Sequence, residues 1–182
     1  IIVEFLYYDP YFANMKILLN SLPSVLLGLR VCASSTPAAS LSDIPHFFAD
    51  AVVDHFSAAP SPPTSASTWT QRYYTLPDHF LGPGSPIFLV LGGEGTLMGL
   101  TYPFVNDVLA PQFGAYVLQP EHRFYGSSHP VYPDDGTRSA GDMARLLTAE
   151  QAMLDAVALL THIRGALGCD ALRGSAGHCP AV

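Results

Sequence analysis

The chain has 182 residues, of which 49% are hydrophobic and 13% are charged, and its formal net charge is -7. This apolar content suffices for one packed domain, and the length permits at most two. The eight Lys and Arg residues form no cluster, so the acidic balance argues against nucleic acid as a partner and indicates a soluble globular protein.

The amino end has the features of an export signal. Met15 and Lys16 are followed by an apolar stretch over residues 17–29 and by a small-x-small exit that ends at Ala33. A basic residue, an apolar core of this length and such an exit are typical of a secretory signal peptide. We therefore predict a leader and signal peptide over residues 1–33, with translation starting at Met15 and cleavage after Ala33.

The same apolar stretch is not expected to span a membrane. It is short, and Asn20, Ser21 and Pro23 interrupt it. A buried amino-terminal helix is the alternative to a signal. If the signal is removed, residues 34–182 form the folded domain of a protein that enters the secretory pathway and has no membrane span.

A proline-rich loop and two antiparallel strands are predicted next. Residues 58–68 contain three prolines together with five serines and threonines, which favours a loop. Residues 68–75 are rich in β-branched and aromatic side chains and end before Pro77, which predicts a strand. Together with residues 52–56, this strand is expected to form the outer, antiparallel part of a sheet.

Two short apolar runs predict the centre of that sheet. Residues 87–91 and 115–118 are each bounded by turn residues, and a segment of helical length lies between them. Such runs are typical of neighbouring parallel strands that are buried on both faces. The fold class indicated is therefore α/β, with a mixed sheet and parallel central strands.

The connection between these runs is predicted to be a helix over residues 102–112. Pro103 suits its first turn. A crossover of this kind makes the two flanking strands parallel. Its apolar face is expected to consist of Phe104, Val105, Val108 and Leu109.

A longer helix is predicted to begin at Thr148. Residues 148–151 have the sequence of a capping box, in which Thr148 caps the helix start and Gln151 reaches back to the backbone. Gly165 and Gly168 are expected to end this helix, and residues 179–182 to begin the next strand. Its core face is expected to consist of Ala149, Ala152, Met153, Ala156, Leu160, Ile163 and Leu167.

Polar residues gather where the two central strands end. The first run leads into the glycine turn, Gly92-Gly93-Glu94-Gly95, and the second leads into residues 121–128. In open α/β sheets this carboxyl edge is where ligands bind. From spacing alone, the glycine turn is either a tight strand-to-helix connection or a place where backbone N–H groups approach a substrate closely.

Cysteine usage agrees with export. Removing the signal would remove Cys32 and leave Cys169 and Cys179, ten positions apart. In an oxidising compartment these two could pair with each other, which would contribute about 3 kcal/mol on the chain-entropy model, or they could pair with cysteines elsewhere. The seven histidines are scattered, and neither Cys-x-x-Cys nor His-Glu-x-x-His occurs, so no metal and no other cofactor is expected.

Six short segments stand out when residues 50–182 are considered together. They are Asp54-His55-Phe56, Gln71-Arg72-Tyr73-Tyr74, residues 84–88, the glycine turn, residues 121–128 and residues 147–152. In this order they resemble the serine peptidase family of lysosomal Pro-X carboxypeptidase, dipeptidyl peptidase II and thymus-specific serine protease. Any one segment alone is a weak signal, but six in the family's order are specific.

The resemblance implies the amino-terminal part of an α/β-hydrolase fold. It also implies a serine-type exopeptidase, of the Pro-X carboxypeptidase or dipeptidyl peptidase type, that hydrolyses peptides near proline in a lysosome, a vacuole or outside the cell. In that family the nucleophile follows the helix that begins near Thr148, and the Asp and His of the triad come later. The nucleophile elbow is therefore expected beyond Val182, so that this chain would be truncated before it and inactive. A peptide substrate is the expected partner, and dimerisation is left open.

The resemblance places the glycine turn at the active site. Gly93, Glu94 and Gly95 would provide an oxyanion N–H group and contact the substrate, and Tyr125 would line the pocket. Position alone motivates a second role for Glu94, which could pair with the free amino group of a substrate.

Three further residues near this site are expected to be structural. They are Glu121, His122 and Arg123, with a buried Glu-Arg pair holding the loop in shape. The alternative for His122 is a general base, although in the family that base lies much later in the chain.

No serine of the chain fits a nucleophile elbow, which needs glycine two residues before and two residues after it. Ser175 has Arg173 at the first of these places, and Ser127 and Ser128 lack the second glycine. All three are expected to stabilise turns. Two other functions stay open: a secreted esterase or lipase of the same fold, and a non-catalytic truncated product that binds a peptide or a partner.

Overall fold

The computed structural model describes residues 43–57, 67–130 and 140–182. The expected signal segment and residues 58–66 of the expected loop lie outside the described residues. The strands are β1 (His46–Val52), β2 (Thr68–Leu76), β3 (Ile87–Leu89) and β4 (Tyr116–Pro120). The helices are a π-helical segment (Phe104–Leu109) that continues into α1 (Ala110–Phe113), followed by α2 (Ala140–Leu146) and α3 (Ala149–Ala166).

The four strands form one sheet in the order β1-β2-β4-β3. β2 pairs antiparallel with both β1 and β4, whereas β3 pairs parallel with β4, with Ile87 opposite Tyr116. All five residues of β4 are buried, as a strand covered on both faces requires. The mixed α/β sheet and its parallel pair, predicted from the two apolar runs, are confirmed.

The outermost strand lies earlier in the chain than predicted. β1 ends at Val52, and the residues after it form a turn in which the Asp54 carboxylate accepts the Phe56 N–H at 3.0 Å. The Ser57 N–H also donates to the Asp54 carbonyl at 3.3 Å. Aspartate stabilises turns in this way, so the prediction of a strand over residues 52–56 is wrong.

The sheet is covered on both faces. Side chains of α3 pack against Tyr116 and Leu118 of β4, whereas the crossover connection packs against Val117 between them. This alternation follows from the two-residue period of a strand. The larger core, on the α3 side, includes Phe48, Ala51, Trp69, Tyr73, Ile87, Leu159, Leu160 and Ile163.

The crossover is helical where predicted, but the predicted apolar face is only partly buried. Phe104 and Val108 are exposed, and Asn106 is buried. The winding is π-helical, with hydrogen bonds between residues five apart, such as the one from the Ala110 N–H to the Val105 carbonyl. This wider winding shifts the side chains away from the three-to-four spacing on which the prediction depended.

The helix α3 begins as predicted, because Thr148 Oγ1 accepts the Gln151 N–H at 3.3 Å. The Gln151 side chain does not reach back to the helix start, however, but binds the turn after β1. The buried face therefore includes Gln151 and Asp155, while Ala149 and Met153, predicted to lie in the core, are exposed. The predicted stripe is therefore wrong at Ala149 and Met153, whereas Ala156, Leu160 and Ile163 are buried as predicted.

Among the described residues, no single helix is long and apolar enough to cross a membrane. The pair α2 and α3 meets those two criteria only when the helices are taken together, and they are bent by 57° at the break between them.

Residues 179–182 run along β3 on the side away from β4. The Ile87 N–H donates to the Pro180 carbonyl at 2.8 Å, and the Leu89 N–H donates to the Val182 carbonyl at 2.9 Å. This pairing is parallel. A disulfide joins Cys179 to Cys169 with 5.6 Å between the two Cα atoms, so the last residues are tied to the end of α3.

Candidate functional site

The carboxyl ends of β3 and β4 lie side by side, and the glycine turn follows β3 directly. At Gly92 an added Cβ would collide with the Pro120 carbonyl at the end of β4. Only glycine permits two backbones to approach so closely. The structure therefore brings the glycine turn and residues 121–128 together at one edge of the sheet.

The rest of the glycine turn is open to solvent. Gly93, Glu94 and Gly95 are all exposed, and the Gly95 N–H donates to the Gly93 carbonyl at 2.9 Å. Within the described part of the chain, a Cβ added at Gly93 or Gly95 would meet nothing within 4 Å. The exposed residues of the turn thus face an open space at the carboxyl edge, although the Gly95 N–H is already bound within the turn.

Glu121 lies fully buried behind this turn. Its Oε1 accepts the Leu97 N–H at 2.9 Å and a further hydrogen bond from Arg72 Nη2 of β2. Its Oε2 accepts the Ser127 N–H at 2.9 Å. One carboxylate therefore connects the residues after the glycine turn, the loop after β4 and the strand β2.

The sequence predicts a buried Glu-Arg pair here, but Glu121 and Arg123 do not pair with each other. Glu121 pairs with Arg72, and Arg123 pairs with Asp155 of α3. The partners lie 49 and 32 residues apart along the chain. Tertiary packing thus brings a carboxylate to each guanidinium. Proximity in the sequence indicates neither of the two pairings.

Arg123 makes five hydrogen bonds although it is fully buried. Its Nε and Nη2 donate to the two carboxylate oxygens of Asp155 at 2.7 and 2.8 Å. Its remaining bonds go to the carbonyls of Val52, Val53 and Leu146, at 3.1, 3.2 and 2.9 Å. The planar fork suits such bidentate pairing, and the side chain holds β1, α2 and α3 against the end of β4.

A polar cluster that the sequence does not predict surrounds this ion pair. His55 Nε2 lies 2.7 Å from Asp155 Oδ1, and the Gln151 side-chain oxygen accepts the His55 N–H at 3.0 Å. One signal was available in the sequence. Gln151 and Asp155 are four residues apart on the buried face of an otherwise apolar helix, which is where polar side chains need buried partners.

Asp54 connects the turn after β1 to both neighbouring helices. Its carboxylate accepts from Gln151 Nε2 of α3 at 2.6 Å and forms an ion pair with Arg145 of α2. Burial opposes its ionisation, but the hydrogen bonds from Gln151 and Phe56 and the charge of Arg145 outweigh burial and lower the pKa of Asp54. The charged form of Asp54 therefore stabilises this junction.

His122 and Tyr125 pack against each other beside the glycine turn. Their ring centroids are 5.4 Å apart at an interplanar angle of 83°. His122 Nδ1 lies 2.8 Å from the Arg123 carbonyl, and since a carbonyl only accepts, Nδ1 is the donor in that contact. Phe124, between the two, has a φ of 70°, a conformation uncommon outside glycine. This tight turn leaves Tyr125 half-buried at the edge of the site.

The three serines considered as nucleophiles take part in turns. Ser128 is buried and its Oγ accepts the Arg72 N–H at 2.9 Å, while the Ser127 N–H donates to Glu121. Ser175 Oγ donates to Asp170 at 2.8 Å within the loop closed by the disulfide. The Ser128 and Ser175 hydroxyls are thus engaged in structural hydrogen bonds, and Ser127 is held through its backbone N–H.

Known proteins share the segment that builds this site. The family model of serine carboxypeptidase S28 matches residues 51–169, which is well over half of the chain and includes the glycine turn, the Glu121 and Arg123 contacts and the whole of α3.

Three curated relatives illustrate the similarity. Thymus-specific serine protease of Homo sapiens is 41% identical over 91 residues, the Mus musculus protein of the same name is 37% identical over 112, and lysosomal Pro-X carboxypeptidase of Mus musculus is 33% identical over 113. These matches cover 50%, 59% and 61% of this chain, but 17%, 21% and 21% of the relatives. The chain thus spans about a fifth of the length of the curated relatives it matches. Because the family model matches well over half of its residues, the chain belongs to the serine carboxypeptidase S28 family.

Proposed function

We propose that this chain provides the oxyanion side of the active site of a serine-type exopeptidase that hydrolyses peptides near proline. The supporting observation is the exposed glycine turn at the carboxyl edge of the parallel pair β3 and β4, beside the loop after β4. The oxyanion of an acyl-transfer intermediate needs preorganised N–H donors, one of which commonly comes from the loop after the third strand. Gly93, Glu94 and Gly95 would supply this donor, and Tyr125 would line the pocket.

The nucleophile would come from sequence beyond Val182. No Gly-x-Ser-x-Gly motif occurs in the 182 residues. In the full-length protein, a serine activated by His and Asp would attack the peptide carbonyl and form an acyl-enzyme. The 182-residue chain would be inactive by itself.

Labelling with a fluorophosphonate, which reacts with activated serines, tests this proposal. We expect the full-length protein to be labelled and to hydrolyse proline-containing peptides, and the 182-residue chain to stay unlabelled. Label on a serine within residues 43–182 would overturn the proposal, and so would a full-length protein that cleaves esters but no peptides.

The exposed carboxylate of Glu94 favours a dipeptidyl peptidase over a carboxypeptidase, since it could pair with the free amino group of a substrate. In the full-length protein, Glu94→Gln should lower kcat/KM for free-amine dipeptide substrates about tenfold, the effect of losing one charge-assisted hydrogen bond. Blocked substrates should be affected much less. Glu150→Gln, the same change at an exposed position of α3, is the matched control. Equal losses on free and blocked substrates would remove the proposed role of Glu94.

A location in the secretory pathway, either in a lysosome or vacuole or outside the cell, is part of the same proposal. It is supported by the disulfide between Cys169 and Cys179, because disulfides persist in oxidising compartments. The name of one relative, lysosomal Pro-X carboxypeptidase, agrees with such a location.

A further inference from the structure

The glycine turn is held at both ends by residues at the end of β4. Gly92 packs against the Pro120 carbonyl, and the Leu97 N–H donates to the Glu121 carboxylate at 2.9 Å. Residues 93–96, between these two contacts, are exposed. The place of the exposed residues relative to the sheet therefore depends on the two contacts at their ends.

The contacts of Glu121 require a carboxylate. Oε1 accepts from Leu97 and Arg72, and Oε2 accepts from Ser127, so each of these three partners among the described residues is a donor. A carboxylate can accept at both oxygens, whereas a glutamine amide would turn an NH2 group towards one of these donors. Glutamine, which has the same size and shape as glutamate, therefore cannot reproduce all the hydrogen bonds of Glu121.

We infer that Glu121 is a positioning residue, which fixes the exposed glycine turn relative to the loop after β4 through the Leu97 and Ser127 N–H groups. Its catalytic consequence rests on the proposed function, but its structural part does not. Glu121 is buried behind the turn, so it would act on the reaction through the turn.

The variant Glu121→Gln in the full-length protein tests the inference. We expect hydrogen exchange at the Leu97 amide, the Ser127 amide or both to become at least about tenfold faster, because glutamine has only one oxygen for the donors that the carboxylate binds with two. We expect kcat to fall roughly 100-fold, the effect of a misplacement of about 1 Å at a catalytic group. KM should change less than about threefold, since an oxyanion contact is made in the transition state.

Asp155→Asn is the matched control for this variant. It also replaces a buried, arginine-paired carboxylate with an amide, but the contacts that Asp155 makes to the described residues do not involve the glycine turn. It should lower the melting temperature while leaving both the exchange at Leu97 and kcat per folded molecule at the wild-type values.

A second pair of variants keeps the test decisive if Glu121→Gln does not fold. A Cβ at Gly126, which has a φ of 54°, would collide with Glu121 Oε1, whereas a Cβ at Gly168, with a φ of 69°, would meet none of the described residues within 4 Å. Both alanine substitutions carry the same left-handed backbone strain, so their difference reports displacement of the carboxylate. Only Gly126→Ala should speed exchange at Leu97 and lower kcat.

The positioning role of Glu121 and the assignment of the glycine turn to the oxyanion site can be disproved separately. Wild-type exchange at both Leu97 and Ser127 in the folded Glu121→Gln protein, or at Leu97 in the folded Gly126→Ala protein, would overturn the positioning role of Glu121. Faster exchange with an unchanged kcat would instead overturn the assignment of the glycine turn to the oxyanion site.

Discussion

Asp54 shows at the residue scale how one side chain in a turn links two helices. Its two carboxylate oxygens accept from α3 and from α2, through Gln151 and Arg145. Its partners favour the charged form over the protonated one, so the contact depends on pH. Protonation would place a hydrogen on one of the two oxygens and remove the negative charge with which Arg145 pairs.

Acidification should therefore weaken the fold in part through Asp54. Its folded pKa is depressed below the ordinary value of 3.8, so its contribution to the free energy of unfolding is present above that value and is lost as the pH falls through the folded pKa. In urea titrations, Asp54→Asn should flatten the loss of stability below about pH 4. Asp78→Asn, which removes an exposed carboxylate outside this junction, is the control. Equal slopes for Asp54→Asn and the wild type would contradict this prediction.

At the scale of elements, α3 is connected to the strand-like residues 179–182 by more than packing. Arg164 Nε near the end of α3 donates to the Cys179 carbonyl at 2.9 Å, and the disulfide joins Cys179 to Cys169 just after the helix. Burial and the nearby charge of Arg173 lower the pKa of Arg164. The covalent and polar links together keep residues 180–182 in register with β3.

Removing the disulfide should loosen this connection. Replacing both Cys169 and Cys179 with serine should lower the free energy of unfolding by about 3 kcal/mol, the chain-entropy value for a short loop. Hydrogen exchange at Ile87 and Leu89 should become faster, since both donate to residues 180–182. Wild-type protein under reducing conditions should behave like the double variant. An unchanged free energy of unfolding would show that the loop is held by packing alone.

At the scale of the whole molecule, Arg123 joins elements from both ends of the described chain. It follows β4 and bonds to the turn after β1, to the end of α2 and to the middle of α3. Such a buried cation is tolerable because all of its bonds are satisfied. Loss of any part of this arrangement would leave a charge or several carbonyls without partners.

Arg123→Lys should destabilise the entire fold. Lysine keeps the charge but cannot reproduce a planar fork and five hydrogen bonds. We expect the free energy of unfolding to fall by about 3 kcal/mol, the lower end of the range for a broken buried ion pair. Arg173→Lys, at an exposed position, should change it by less than about 0.5 kcal/mol. A change below that limit for Arg123→Lys would contradict its role as a central scaffold residue.

The sequence by itself determined the features that depend on near neighbours. The two apolar runs predicted the parallel pair, the Thr148 cap predicted the start of α3, and the glycine turn marked the carboxyl edge of the sheet. Periodicity, capping and turn chemistry act over a few residues, so a single chain displays them directly.

Only the tertiary structure decided which buried polar groups meet. Glu121 pairs with Arg72, and Asp155 accepts from both Arg123 and His55, across separations of 32 to 100 residues. These partners drew Gln151 and Asp155 into the core and displaced Ala149 and Met153 from it. A buried charge is stabilised by an opposite charge that packing brings next to it. Such pairings follow no periodic pattern in the sequence.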